Sequence, residues 1–94
     1  MNDLQLNQRI AELESLNCKI DETAKVVYVS EEVYSPCQNS VQCDPLIDKY
    51  GVILDWGEGV WCASLDHQKS GRAITVTDKL ASRAAVKVIV MAHE

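Results

Sequence analysis

Apolar residues recur along the first turns of the chain with a helical period. Leu6, Ile10 and Leu13 stand at i, i+4 and i+7, Leu16 lies at the edge of that stripe, and Gln8, Arg9, Glu12 and Glu14 take the wet side. Asn2 followed three residues later by Gln5 has the form of a capping box. The spacing therefore predicts a helix over 3–16. Val26, Val27, Tyr28 and Val29 are β-branched or aromatic on both sides of a pleat, which predicts a strand over 25–30 with cover on both faces. Tyr34-Ser-Pro-Cys-Gln-Asn reads as loop. Asn39 or Ser40 can cap a second helix that runs to Tyr50 and stops at Gly51. Pro45 suits only a helix start, so a shorter helix capped by Asp44 is the alternative.

Residues 52–65 read as a β-hairpin around Gly57-Glu58-Gly59, a three-residue loop with a late glycine. Setting Trp56 opposite Val60 places Val52, Leu54, Trp56, Val60, Cys62 and Ser64 on one face. Ile53, Asp55, Trp61, Ala63 and Leu65 fall on the other. Large apolar groups on both faces predict helices on both sides. Asp66–Arg72 is a polar loop, and Ile74-Thr-Val76 a short edge strand. Thr77 or Asp78 then caps a last helix over 79–92, whose stripe is Leu80, Ala81, Ala84, Ala85, Val88, Ile89 and Ala92. The expected architecture is a single α+β domain over 1–94. It has a small antiparallel sheet of three or four strands covered by helices on both faces, an α-β-α sandwich.

Composition narrows the classes. The chain has 94 residues, 47% hydrophobic and 24% charged, the balance of a globular domain rather than a disordered one. No apolar run reaches the length of a membrane span, and the polar, acidic N-terminal stretch is no secretory signal. The expectation is a cytoplasmic protein of the host cell, without a membrane partner. A net charge of −5 argues against nucleic acid as the main ligand. The charge is unevenly spread: residues 1–66 hold twelve acids and four bases (−8), and residues 67–94 hold two acids and five bases (+3). Cys18, Cys37, Cys43 and Cys62 contain no C-x2-C knuckle, so reduced thiols are expected, with no metal site and no cofactor.

Asp44-Pro-Leu-Ile-Asp-Lys-Tyr-Gly-Val-Ile, the hairpin with Trp61, and Ser82-Arg-Ala-Ala before an apolar tail form a familiar succession. Together with the opening Leu6-Asn-x-x-Ile10-Ala-Glu-Leu, it resembles small proteins of tailed-phage early regions, the NinX-like group and the phage α-β-α sandwich domains. The resemblance spans nearly the whole chain and departs over 19–36 and 66–78. It implies a helix-covered sheet and a phage or prophage origin. It implies no activity, because its motifs are apolar and turn residues.

Candidate chemistry is sparse. Cys62, His67 and Asp66, with Asp55 on a neighbouring strand, form the nearest approach to a nucleophile–base–carboxylate set, a pattern loose enough to occur in most domains. No phosphate loop, dinucleotide fingerprint, zinc-protease motif or nucleophile elbow is present. The chain is therefore read as a non-enzyme with no catalytic residue. Two binding classes remain. In the first, a protein-interaction module associates with itself or with a host protein through Arg83, Val86, Lys87 and Val90. Those valines give the last helix an apolar outward side beside Arg83 and Lys87, and a helix apolar almost all round is buried on two sides or sits in an interface. In the second, Trp56, Trp61, Lys69 and Arg72 grip a small anionic nucleotide, sequestering it from host signalling.

Overall fold

The computed structural model describes residues 1–94. Its elements are α1 (Asp3–Leu13), β1 (Cys18–Asp21), β2 (Val26–Val29), β3 (Glu32–Val33), α2 (Ser40–Tyr50), β4 (Ile53–Gly57), β5 (Val60–Asp66), β6 (Ala73–Asp78) and α3 (Ala81–Ala92). The fold is α+β. Its strands form two antiparallel three-stranded sheets, β1-β2-β3 and β4-β5-β6, where the patterning predicts one. No helix is long and apolar enough to cross a membrane.

The helix ends follow local chemistry. At α1, the Gln5 N–H donates to Asn2 Oδ1 and the Asn2 N–H donates to Gln5 Oε1, each at 2.9 Å, completing the capping box. At α2, Asn39 Oδ1 accepts from the Val41 and Gln42 N–H groups. Gly51 closes that helix at φ 71°, a left-handed conformation that costs glycine little. Pro45 lies inside α2 and deprives the Val41 carbonyl of its helical donor. Both residues are exposed, so water can take the vacancy.

The first sheet grows from a turn rather than from an apolar pattern. Asp21 Oδ1 accepts from the Thr23 and Ala24 N–H groups, and Lys25 adopts φ 59°, reversing the chain so that β1 pairs with β2. In the second sheet the β4–β5 turn has two residues, Glu58 (φ 56°) and Gly59 (φ 82°), the positive-φ pair that a tight hairpin uses. Gly57 pairs with Val60 and Trp56 with Trp61, one residue away from the expected register. A one-residue slip turns one strand over relative to the other. Leu54, Trp56, Trp61, Ala63 and Leu65 consequently share a face with Ile74, Val76 and Asp78 of β6. The opposite face carries Ile53, Asp55, Cys62, Ser64, Thr75 and Thr77.

That sorting changes the layer arrangement. The apolar face packs on α3, and α1 and α2 pack on the other side of α3. Helical cover thus lies on one face of the β4–β6 sheet. On the opposite face Ile53 is 62% exposed, and Ser64 and Thr75 meet through their hydroxyls at 3.3 Å. The helix α3 is the middle layer. Ala84, Ala85, Val86, Val88, Ile89 and Val90 supply six of the thirteen residues in the main core cluster.

Candidate functional site

The last-helix residues expected to bind a partner are occupied within the chain. Val86 is 0% and Val90 2% exposed, because the sheet covers α3 on one side and the other two helices cover it on the opposite side. Arg83 Nε and Nη2 donate to the two oxygens of Asp3 at 2.9 and 2.8 Å, and Nη1 lies 3.6 Å from Asp78. Lys87 Nζ donates to Asp78 Oδ2 at 2.7 Å. The Asp3 interaction is a fork-to-fork pair, the strong form of a charge-assisted hydrogen bond. Burial alone would raise the Asp78 carboxyl. The Leu80 N–H, Lys87 and Arg83 together outweigh it and hold the group below its ordinary value. The acids that answer this basic helix therefore belong to its own chain. Arg9–Glu94 also joins the two charge-separated segments, with the base on the N-terminal side, and Lys49–Glu14 ties α2 to the end of α1 within the first segment.

The residues of the nucleotide reading do not converge. Lys69 and Arg72 lie in the β5–β6 loop, beyond the Asp66–Ala73 pair, whereas Trp61 sits at the opposite end of β5 beside Asp78. Five residue steps of strand separate the two ends by about 16 Å. The register also brings both tryptophans to one face, where opposite faces are expected. Their ring centroids are 5.3 Å apart with planes tilted by 58°, so the two indoles pack against each other and do not form a parallel platform for a base. Trp61 packs on the core, and Trp56 is 58% exposed.

The loose catalytic set is dispersed as well. His67 is a loop staple: its Nδ1 accepts from the Lys69 and Ser70 N–H groups, and its Nε2 lies 3.2 Å from the Glu94 carbonyl. Accepting at Nδ1 places the ring proton on Nε2, where it is donated to that carbonyl. Neither nitrogen is free to act on a thiol. Cys62 pairs across the ladder with Asp55 and Thr77, and Asp55 is exposed.

All four cysteines are free thiols. Cys37 and Cys43 are buried, and burial pushes their thiols up to about 12 and about 11. They serve the junction of α1, α2 and α3. The Asn7 Oδ1 accepts from the Cys37 N–H, Ser82 Oγ donates to the Cys37 carbonyl, and Cys43 Sγ donates to the Ser82 carbonyl. No three His, Cys, Asp or Glu side chains gather where a metal could be held.

Two features escape a reading by motif. One is the tryptophan end of the β4–β6 sheet, where exposed Trp56 and the exposed Leu80 before α3 lie at the same end of the layer. The other is the outer edge of β6, whose exposed positions alternate as Ala73, Thr75 and Thr77. The alternation is present in the sequence, but reading an edge requires the strand order. No family model matches the chain, and no curated protein or solved structure matches it.

Proposed function

We propose that the protein is a non-catalytic interaction module of a phage or prophage, acting in the host cytoplasm and engaging a protein partner through Trp56. The observation that carries this reading is a tryptophan 58% exposed on an edge strand, β4, beside a second indole that fixes its orientation. Leaving so large an apolar surface in water is unfavourable, and tryptophans of this kind are the side chains that most often dominate protein interfaces. The dispersal of the Cys62–His67 set supports a non-enzymatic role, and the phage origin follows the sequence resemblance.

The test compares immobilised wild type with Trp56→Ala in bacterial lysate, reading retained proteins and small molecules by mass spectrometry. Trp56 is exposed, so the variant should keep its fold, which far-ultraviolet circular dichroism checks. The expected result is one or a few proteins held by the wild type and released by the variant. An identical set of proteins on both would overturn the Trp56 contact.

A further inference from the structure

The strand β6 lies at the edge of its sheet, with β5 on one side and no strand on the other. Which of its backbone groups point outward follows from the alternation of an antiparallel ladder, in which every second pair exchanges hydrogen bonds. The His67 N–H donates to the Arg72 carbonyl at 2.7 Å. The bonded pairs that continue this phase are Leu65–Ile74, Ala63–Val76 and Trp61–Asp78. The two-residue turn closed by Gly57 and Val60 gives the same phase independently, since it directs Val60, Cys62 and Ser64 toward β4. On β6, therefore, Ile74, Val76 and Asp78 bond inward. Ala73, Thr75 and Thr77 direct their N–H and C=O groups away from the sheet.

Natural edge strands are blunted by charge, proline or a bulge. The edge strands β1 and β4 are short, of four and five residues, and carry Lys19, Asp21 and Asp55 along their length, whereas β6 has six residues and a single charge, Asp78, at its last position. The outward positions of β6 have none of these devices. We propose that β6 pairs antiparallel with β6 of a second copy, about a two-fold axis at Thr75, joining the two β4–β6 sheets into one six-stranded sheet. This interface lies on the opposite edge from Trp56 and goes beyond the partner contact assigned there.

The sequence of β6 is self-complementary in that register. Thr75 faces the partner's Thr75, Ala73 faces the partner's Thr77, and these outward residues exchange about six hydrogen bonds. On the apolar face Ile74 meets the partner's Val76. Arg72, which has no carboxylate partner in its own chain, stands across from the partner's Asp78, a carboxylate that also holds its own Lys87 and Arg83. Opposite charges and β-branched pairs across strands are both favourable. A shift of two residues one way would set Ile74 against the partner's Asp78, and a shift the other way would set Arg72 against the partner's Val76. The register at Thr75 alone satisfies every position.

The flank of α3 adds to the join. The Lys87–Asp78 bond fixes that flank over β6, and Met91, one turn further along, is 47% exposed. Met91 and Lys87 line an open hollow of about 270 Å³ with Met1, Leu6, Val90 and Glu94. The two-fold brings the two copies of this flank toward each other. A strand edge about 20 Å long makes a small interface, so a concentration-dependent dimer is expected rather than a permanent one.

Size-exclusion chromatography with light scattering, from about 1 μM to about 1 mM protein, reads the association directly. The wild-type mass should rise from 10.5 kDa toward twice that value. Thr75→Lys places two ammonium groups opposite each other in the dimer while changing only an exposed position in the monomer. It should stay at the lower mass throughout, with a melting temperature close to that of Thr75→Val, since both variants lose the exposed hydroxyl contact with Ser64. Thr75→Val keeps a strand-forming, uncharged residue and should dimerise like the wild type. A wild type that remains monomeric across the range overturns the pairing. A Thr75→Lys variant that dimerises equally well overturns the assignment to β6. Trp56→Ala should dimerise normally, so loss of its partner and loss of the dimer are separate outcomes.

Discussion

Replacing Val86 by Ala tests whether α3 is the inner layer of one subunit or the contact surface between two. Val86 is 0% exposed, and the substitution removes two carbon atoms from a packed site. Transfer from water accounts for about 0.8 kcal/mol per methylene, or about 1.6 kcal/mol for the pair. The space left behind relaxes only in part and brings the total to roughly 2–3 kcal/mol. A domain of this size has a stability of about 5–14 kcal/mol, so the variant should still fold. At about 4–8 °C per kcal/mol, its melting temperature should fall by roughly 10–20 °C. Urea unfolding followed by tryptophan fluorescence, repeated at two protein concentrations, gives the difference from wild type. Burial within the subunit requires that this difference be independent of concentration. A loss below about 0.5 kcal/mol, typical of surface positions, would refute the buried assignment. So would a loss that grows with protein concentration, since Val86 would then contribute to association.

Asp78→Asn retains the acceptor for the Leu80 N–H while removing the charge between Lys87 and Arg83, and should lower stability by about 1 kcal/mol at pH 7. The folded carboxyl lies below its ordinary 3.8, so its stabilisation is complete above that pH and is lost as pH falls through the folded value. Denaturation at pH 7 and at pH 3 should show a smaller deficit at the lower pH. An equal deficit at both would assign the effect to packing instead of charge. Thiol labelling of the native protein should reach Cys18 and Cys62 well before Cys37 and Cys43, which are buried and carry raised thiol pKa values. Labelling at all four sites at one rate, measured by mass spectrometry, would contradict that burial.

The elements that could be read from the sequence are those whose signals are local. The Asn2–Gln5 capping box, Asn39 before α2 and Gly51 after it act through neighbouring backbone groups, so their meaning does not depend on the rest of the fold. The hairpin at 52–65 was also legible, but its register was not. Glu58 adopts a positive φ that asparagine or glycine usually supplies, so the sequence favours a loop opening at Gly57 over a turn centred on Glu58-Gly59. That single step reversed the faces and with them the prediction of helices on both sides. The strands β1 and β3 carry a weak apolar signal and depend on the Asp21 turn and on pairing with β2. For α3, an apolar circumference required either two covered sides or an interface. Only tertiary packing distinguishes these, and it buries Val86 and Val90 inside. The nucleotide reading failed because residues near in sequence, Trp61 and Arg72, lie at opposite ends of a hairpin.

The position of α3 in the middle layer constrains how the nascent chain can fold. Among the described elements α3 leaves the ribosome last, yet the sheet on one side and the helix pair on the other meet mainly through it. Until Val86, Val88 and Ile89 emerge, the earlier elements have no common surface to close on, so α1 and the β4–β5 hairpin should remain marginal in isolation. Folding is then expected to be a late, concerted event rather than a stepwise accretion of finished parts. A ribosome stalled before residue 81 would display an incompletely packed chain with exposed apolar residues, open to chaperones and proteases.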